Sequence, residues 1–361
     1  MKVMFVVHRM HPNLREVYRA LISYGHQCIF VVAGVGPSEP DVFEDRILVH
    51  PHVLSDAAVN EILDHDQPDL VVQRNIDGPY VLFWKIARER GIPQVLYTQD
   101  PHQVPLFDAF VRPLRVIRLF RDLVIQRIKL GPHKRITPVQ YWGREHKFSF
   151  THSTYVPFPA VIKSSKKGAV SGPLKVLTVA KHGQGRKRVR WLLKALKQGG
   201  APFTLIVVGA SPSPSDKGKQ KNYSQFLQLI RGLGERAENV IVHEDLDREE
   251  MEALYTASDI LALPSKRELM AISPLEAMSH GLPVLASSDG GAASYIYPVG
   301  SEQIFRARSY RDFREKLFRL LEDESLREKL SAQAIQHLAL THSAKTFVNN
   351  LVKLANTEIS N

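Results

Sequence analysis

The residues best suited to chemistry lie in one stretch, Pro264 to Val284, which carries two carboxylates eight positions apart, Glu268 and Glu276. The run reads Pro-Ser-Lys-Arg-Glu-Leu-Met-Ala-Ile-Ser-Pro-Leu-Glu-Ala-Met-Ser-His-Gly-Leu-Pro-Val. An apolar run before it, Ile260 to Leu263, stops at a proline and a serine, as a buried parallel strand does. Pro274 fits the first turn of a helix, where its missing N–H is unneeded. Glu276 falls in that turn, and Gly281 closes the helix before the next apolar strand, Val284 to Ala286. Strand, loop, helix and strand thus set two carboxylates and several free backbone N–H groups at the carboxyl edge of a parallel sheet. Open α/β sheets bind ligands at that edge, and a helix start there favours an anion. Taken alone, the same residues also fit a solvated loop glutamate and an acidic first turn that offsets a helix dipole.

A second cluster is basic. Thr178-Val179-Ala180-Lys181-His182 ends one strand, and Gly185-Arg186-Lys187-Arg188-Val189 opens the next helix. Cations at a helix start oppose its dipole unless an anion arrives, so Lys181 and Lys187 point to a bound diphosphate rather than to water. Gly290-Gly291 follows the strand containing Val284 and reads either as a ligand loop or as a plain turn. In the first half, His8-Arg9-Met10-His11-Pro12-Asn13 follows the first strand, where Arg9 or Asn13 can donate hydrogen bonds. Thr98-Gln99-Asp100-Pro101-His102 follows the strand Val95 to Tyr97, making Asp100 and His102 candidates for holding a substrate. A lone loop histidine also fits a plain surface residue. No His/Cys/Asp cluster has metal-ligand spacing, so no metal and no cofactor is expected.

These residues are positioned by alternating strands and helices. Strands are expected at Val3 to Val7, Cys28 to Val32, Leu70 to Val72 and Val95 to Tyr97. Helices follow from Leu14 to Ile22 and from about Tyr80 to Arg90. Ser164 to Pro173, rich in turn formers, reads as a linker. Alternation restarts with strands at Leu174 to Val179, Thr204 to Val208 and Val240 to Val242, and a helix from about Arg188 to Leu196. Ser211 to Asn222 reads as a mobile loop, and the chain is helical from about Ser309, ending in a helix from Ser343 to Leu354. Repeated βαβ units argue two doubly wound parallel sheets.

The Glu-x7-Glu run, flanked by Pro-Ser and by Glu-Ala-Met-x-x-Gly-Leu-Pro-Val, resembles the donor-site signature of the retaining glycosyltransferases of family 4. The resemblance implies an α/β protein of the GT-B fold, with two Rossmann-like domains facing a central cleft. It implies an acceptor domain over residues 1–163, a nucleotide-sugar donor domain over 174–342, and a C-terminal helix, about 343–361, packing back on the first. It places Glu268 against the donor sugar, Glu276 on the ribose hydroxyls, Lys181 and Lys187 on the diphosphate, and Gly290 and Gly291 near the donor. Asp100 and His102 then join Glu268 at the reacting centre. The implied reaction moves a sugar from a nucleotide diphosphate to a hydroxyl of a glycan or glycolipid, retaining configuration. A non-catalytic GT-B subunit and a sugar-nucleotide epimerase on the same fold are the alternatives. This chain departs from the signature at several points. Lys181 stands for an arginine, Ala180 and Arg188 for glycines, and Gln99 for a histidine. Leu269 and Ala271 occupy positions often held by glycine, and the loop after the first strand lacks the usual Gly-Gly pair.

Composition bounds the partners. The 361 residues carry a net charge of +11 and 44% hydrophobic residues, enough for two cores and biased toward anionic partners. A single cysteine, Cys28, fits a reducing cytosol. From Arg112 to Arg135 eight Lys/Arg face one Asp, and Val116, Leu119, Phe120, Leu123, Val124 and Ile128 form an apolar stripe. Arg115, Arg118, Arg121 and Lys129 lie largely off that stripe. Such a helix suits the anionic inner face of a membrane, giving a cytoplasmic, peripheral protein; it equally suits core packing with a solvated basic face. Nucleic acid is not expected, because the basic cluster lacks interleaved base-stacking aromatics.

Overall fold

The computed structural model describes residues 1–8, 13–32, 47–49, 55–74, 79–98, 103–105, 113–131, 133–139, 147–149, 153–163, 172–180, 184–266, 268 and 270–356. The chain forms two compact units, Met1–Ala160 with Thr341–Asn361, and Val161–Leu340. The expected linker, Ser164 to Pro173, lies outside the described residues up to position 171.

The first unit is built on β1 (Lys2–Val7), β2 (Gln27–Val32), β3 (Ile47–Val49), β4 (Leu70–Gln73), β5 (Gln94–Tyr97), β7 (Lys134–Thr137) and β9 (Thr154–Tyr155). They form one sheet in the order β3-β2-β1-β4-β5-β7-β9, every pairing parallel. Two short strands, β6 (Gln103–Pro105) and β8 (Lys147–Ser149), pair antiparallel beside it. Apolar residues at alternate strand positions face opposite sides. Met4, Val6, Ile29, Val31 and Val71 pack against Val59 and Leu63 of α2 (Asp56–Asp66) and Phe83 and Ala87 of α3 (Pro79–Glu89). Phe5 stacks on Phe30, with ring centroids 5.4 Å apart, near Tyr18 of α1 (Asn13–Ser23). The C-terminal helix, Ala344–Ala355, packs on α1 and is capped by Ser343, which accepts from Thr346 N–H at 3.1 Å. The tail is tied down where Ala160 N–H donates to the His342 carbonyl at 2.8 Å.

The basic segment forms α4 (Pro113–Leu130), and here the expected stripe is corrected. Leu123 and Leu130 are buried and Val116 is half-buried, whereas Phe120, Val124 and Ile128 are exposed. The helix is fixed to α3 at its C-terminal end, where Leu130 packs with Trp84. Trp84 Nε1 and Arg88 Nη1 both donate to the Leu130 carbonyl, at 3.2 and 2.8 Å.

The second unit holds β10 (Leu174–Val179), β11 (Phe203–Gly209), β12 (Val240–Glu244), β13 (Ile260–Leu263), β14 (Val284–Ser287) and β15 (Ile304–Phe305). They form a parallel sheet in the order β12-β11-β10-β13-β14-β15. The expected strands agree with both sheets to within two residues, because each is a short apolar run ended by turn formers. Two expectations fail. The helix after β10, α5, spans Arg190–Gln198 and is preceded by a 3-10 turn, Gly185–Lys187, because Arg188 leaves the helical region at φ 52°. The expected loop Ser211 to Asn222 runs into α6 (Lys217–Arg231), whose Asp216 cap accepts from Lys219 N–H at 3.0 Å. Its first turns are polar because they face water, and only Phe226 of the helix is buried. The helix α7 (Arg248–Ala257) went unexpected despite a sequence signal: Asp247 and Glu250 form a reciprocal capping box at its start.

Just beyond α4, His133 Nδ1 lies 2.7 Å from the Gly131 carbonyl and Arg135 Nε donates to Nε2 at 3.0 Å. The ring is therefore the neutral Nδ1–H tautomer. Burial, aided by the charges of Arg135, Arg127 and Arg88, lowers its pKa to about 4. Between about 6.5 and that value the unfolded chain takes a proton that the native ring refuses, so stability falls as pH drops through this window. After a discount for partial exposure, the loss is about 1–2 kcal/mol. In urea titrations at pH 7.0 and 4.5, the wild type should lose that much more stability than His133→Asn; equal losses would remove this linkage.

Candidate functional site

In the second unit, strand order reverses between β10 and β13, the neighbours from which the sheet grows in opposite directions. Loops leaving such a pair diverge and open a crevice at the carboxyl edge. Hydrogen bonds join three successive loops there. Lys266 N–H, after β13, donates to the Arg186 carbonyl, after β10, at 2.8 Å. Gly291 N–H, after β14, donates to the Glu268 carbonyl at 2.7 Å. Tyr295 donates its hydroxyl to the Ala271 carbonyl. Glu268 is thus held from both sides.

Its side chain gathers the charge of the site. Lys187 Nζ lies 2.7 Å and Arg186 Nη1 3.0 Å from the same oxygen, Glu268 Oε2. Lys187 and Glu268 are well shielded, with side chains 13% and 15% exposed, while Arg186 is open at 49%. Two cations against one carboxylate leave the cluster positive and able to take an anion. Of the residues expected here, the fold brings together Lys187, Glu268, Gly290 and Gly291. Gly290 lies against the Ser287 and Glu268 carbonyls, where a Cβ would stand 3.4 and 3.7 Å from the two oxygens, ordinary contact distances. Lys181, Arg9, Asp100 and His102 lie outside the described residues.

Arg188 occupies a position where the resembling family carries glycine, and it adopts the left-handed backbone that glycine provides, at φ 52°. Its guanidinium stacks over Trp191, 4.6 Å from the ring centroid, and donates to the Ala307 carbonyl. These contacts hold a conformation that costs a non-glycine residue about 1 kcal/mol.

Glu276 sits in the first turn of α8 (Ser273–Ser279), with Pro274 at its start and Gly281 beyond its end at φ 71°, as the sequence requires. Its orientation depends on a residue that sequence reasoning missed. Tyr255, buried in α7, donates its hydroxyl to Glu276 Oε2 at 2.7 Å. Burial, together with the nearby carboxylates, pushes the Tyr255 pKa well up, so the phenol keeps its proton and remains a donor. Nothing in the sequence links positions 21 residues apart on different helices. Behind α8, Glu252 Oε2 meets His280 Nε2 at 3.0 Å and Lys163 Nζ at 3.2 Å, anchoring the helix end. Arg186 was also missed, although it adjoins Lys187 in the sequence.

The first unit has its own strand-order reversal, between β1 and β4. Phe5, Val7, Val72, Tyr97 and Phe158 line a small cavity there with Arg74, whose guanidinium lies 6.0 Å from the Tyr97 ring centroid. Arg74 was not singled out from sequence, where it follows a four-residue strand with no distinguishing pattern.

A doubly wound parallel sheet with a cation–carboxylate cluster at its switch point has the layout of an α/β unit of the nucleotide-binding kind. Residues 162–337, all within the second unit, match the family described as glycosyl transferases group 1. Over the whole chain the fold is that of GT-B proteins. Anabaena HepE, solved in complex with UDP, superposes with a TM-score of 0.75 at 17% identity, over 98% of this chain and 99% of that one. A glycosyltransferase from Rickettsia africae superposes with a TM-score of 0.74 at 13% identity, over 98% and 97%. In sequence, the D-inositol 3-phosphate glycosyltransferase of Nocardia farcinica is 27% identical over 140 residues, 39% of this chain and 30% of that protein. The match therefore spans under a third of that relative's length.

The strain at Arg188 gives an ordering of variants. Arg188→Gly removes the backbone cost along with the stacking, whereas Arg188→Ala loses the stacking and keeps the cost. Arg188→Gly should be the more stable of the two by about 1 kcal/mol in urea unfolding. An alanine variant as stable as the glycine one would show that the left-handed backbone is unstrained.

Proposed function

We propose that the protein is a retaining glycosyltransferase resembling family 4, moving a sugar from a nucleotide diphosphate to a hydroxyl of a glycan or glycolipid in cell-surface polysaccharide or glycolipid synthesis. The observation that carries this reading is the convergence of Lys187 and Arg186 on Glu268 at the switch point of the second sheet. An anionic diphosphate suits a cluster with one positive charge in excess, and a sugar attached to it would lie beside the carboxylate. HepE's complex with UDP, on the same fold, supports a nucleotide donor.

In this reading Lys187, with Lys181, holds the diphosphate, Gly290 and Gly291 let the backbone approach the donor, Glu276 accepts the ribose hydroxyls, and Glu268 accepts from the sugar. Arg9, Asp100 and His102 complete the donor and acceptor contacts. Transfer breaks the bond between the anomeric carbon and the phosphate oxygen, leaving the electron pair on the diphosphate. The acceptor oxygen bonds to that carbon from the same face, and its proton passes to the departing phosphate. The protein needs no strong base for this step. It supplies positioning and charge stabilisation: the lysines for the leaving group, Glu268 for the positive character that develops on the sugar. Because cations of the chain do this work, no metal or further cofactor is required. A lipid-linked acceptor would place the enzyme peripherally on the cytoplasmic face of a membrane.

A thermal-shift screen across UDP-, GDP-, ADP- and CMP-sugars should raise the unfolding midpoint with one nucleotide class, since a ligand bound only by the folded state stabilises it. Glu276→Ala should weaken binding of that nucleotide on the order of tenfold, and Tyr255→Phe by less, as expected for loss of charge-assisted hydrogen bonds. Lys187→Ala should lower kcat/KM by roughly 10² to 10³, with EDTA without effect. No shift with any nucleotide sugar, or unchanged affinity in Glu276→Ala, would overturn the site assignment. Conversion of donor in the absence of acceptor would identify an epimerase instead.

A further inference from the structure

Among the described residues, exposed apolar side chains concentrate on the outer face of α4. Six of the thirteen exposed large apolar residues among the described ones lie on this single helix. Leu114, Ile117, Val124, Ile125 and Ile128 are 68%, 61%, 40%, 41% and 78% exposed, and Phe120 is 59% exposed. At about 100° per residue they fill one arc of roughly 140°, along a helix about 27 Å long. Leu123 and Leu130, which are buried, and Val116, which is half-buried, lie outside that arc, and Leu130 ties the helix to α3. The outer residues therefore are not needed to keep α4 in place.

Charge selects the occupant of this face. Arg127 and Lys129 border the apolar arc on its two sides, and Arg121 lies within it; all three are exposed. Arg121 pairs with its exposed neighbour Asp122 at 2.8 Å, a contact that competes weakly with other anions. A second copy of the chain would bring these cations against their own kind. A neutral apolar partner would leave them without counter-ions. A bilayer interface with anionic headgroups satisfies both features, burying the apolar arc while long basic side chains reach out to phosphates. No described helix is long and apolar enough to cross a membrane, so the helix would lie in the interface plane.

We infer that α4 is a membrane-docking element, inserting Leu114, Ile117, Val124, Ile125 and Ile128 into an anionic lipid surface with Arg121, Arg127 and Lys129 on the headgroups. This specifies the peripheral placement proposed above and rests on it only for the identity of the membrane, since lipid binding requires no sugar transfer.

The test is sedimentation of the full chain with vesicles of phosphatidylcholine, with and without 30% phosphatidylglycerol. The wild type should pellet with the anionic vesicles and stay in solution with the neutral ones, with binding weakened by salt. Two triple variants separate the contributions. Ile117→Gln with Val124→Gln and Ile128→Gln keeps every charge, and Arg121→Gln with Arg127→Gln and Lys129→Gln keeps every apolar residue. Each should lose at least tenfold in vesicle affinity while retaining the wild-type melting midpoint and the wild-type midpoint shift with the nucleotide sugar found in the donor screen. Vesicle binding unchanged in the apolar triple variant overturns the proposal, as does equal binding of the wild type to neutral vesicles. A wild-type dimer in light scattering that the apolar triple variant converts to monomer also overturns it, assigning the face to a second copy. Absence of a nucleotide shift in all three proteins, with vesicle binding as expected, would reject the transfer reaction and leave the docking surface standing.

Discussion

One ion cluster organises the functional half of this protein: two cations on consecutive residues of a 3-10 turn, both against a single shielded carboxylate oxygen. Lys187 and Glu268 are 81 residues apart and meet only because β10 and β13 are neighbours in the sheet. In a shielded setting an ion pair alone is a weak source of stability, since desolvation offsets most of the Coulomb gain. Its value here lies in geometry. The cluster fixes the two loops that flank the switch point and keeps one positive charge in excess where an anion can enter.

The backbone around it serves the same end. The turn after β10 reverses through a left-handed residue, and this chain uses an arginine where glycine is the easier choice. The guanidinium is then held by a tryptophan face and the Ala307 carbonyl that follows β15. The Gly291 N–H holds the loop after β14 against the Glu268 carbonyl. Glu276 is oriented from a different direction, by a buried phenol that burial itself keeps protonated. The two carboxylates of the Glu-x7-Glu run therefore sit in different environments. One is neutralised by cations, while the other accepts a neutral hydrogen bond and stays open to solvent.

The first unit carries a different division of labour. Its core packs strands on α2 and α3, and α4 is attached at its C-terminal end through the Leu130 carbonyl between Trp84 and Arg88. A helix secured on one side can expose apolar residues on the other at little cost to the fold. That is why an apolar and basic surface coexists here with an ordinary interior.

Most of the strands, the helix start at Pro274 and its end at Gly281 were legible from residue order alone, because strand and cap signals are local. Glu268 and Lys187 were singled out separately from their flanking residues, but their direct contact was not foreseen. The polar start of α6 misled because a solvated helix has little periodicity to read. The register of Arg188 misled because nothing local marks a left-handed arginine. Tertiary structure alone decided that Arg186 shares Glu268 with Lys187, that Tyr255 orients Glu276, and which apolar residues of α4 turn outward. Each depends on which elements become neighbours across the fold. Residue order determines periodicity and caps, but contacts between distant segments arise only once the sheets have set their strand order.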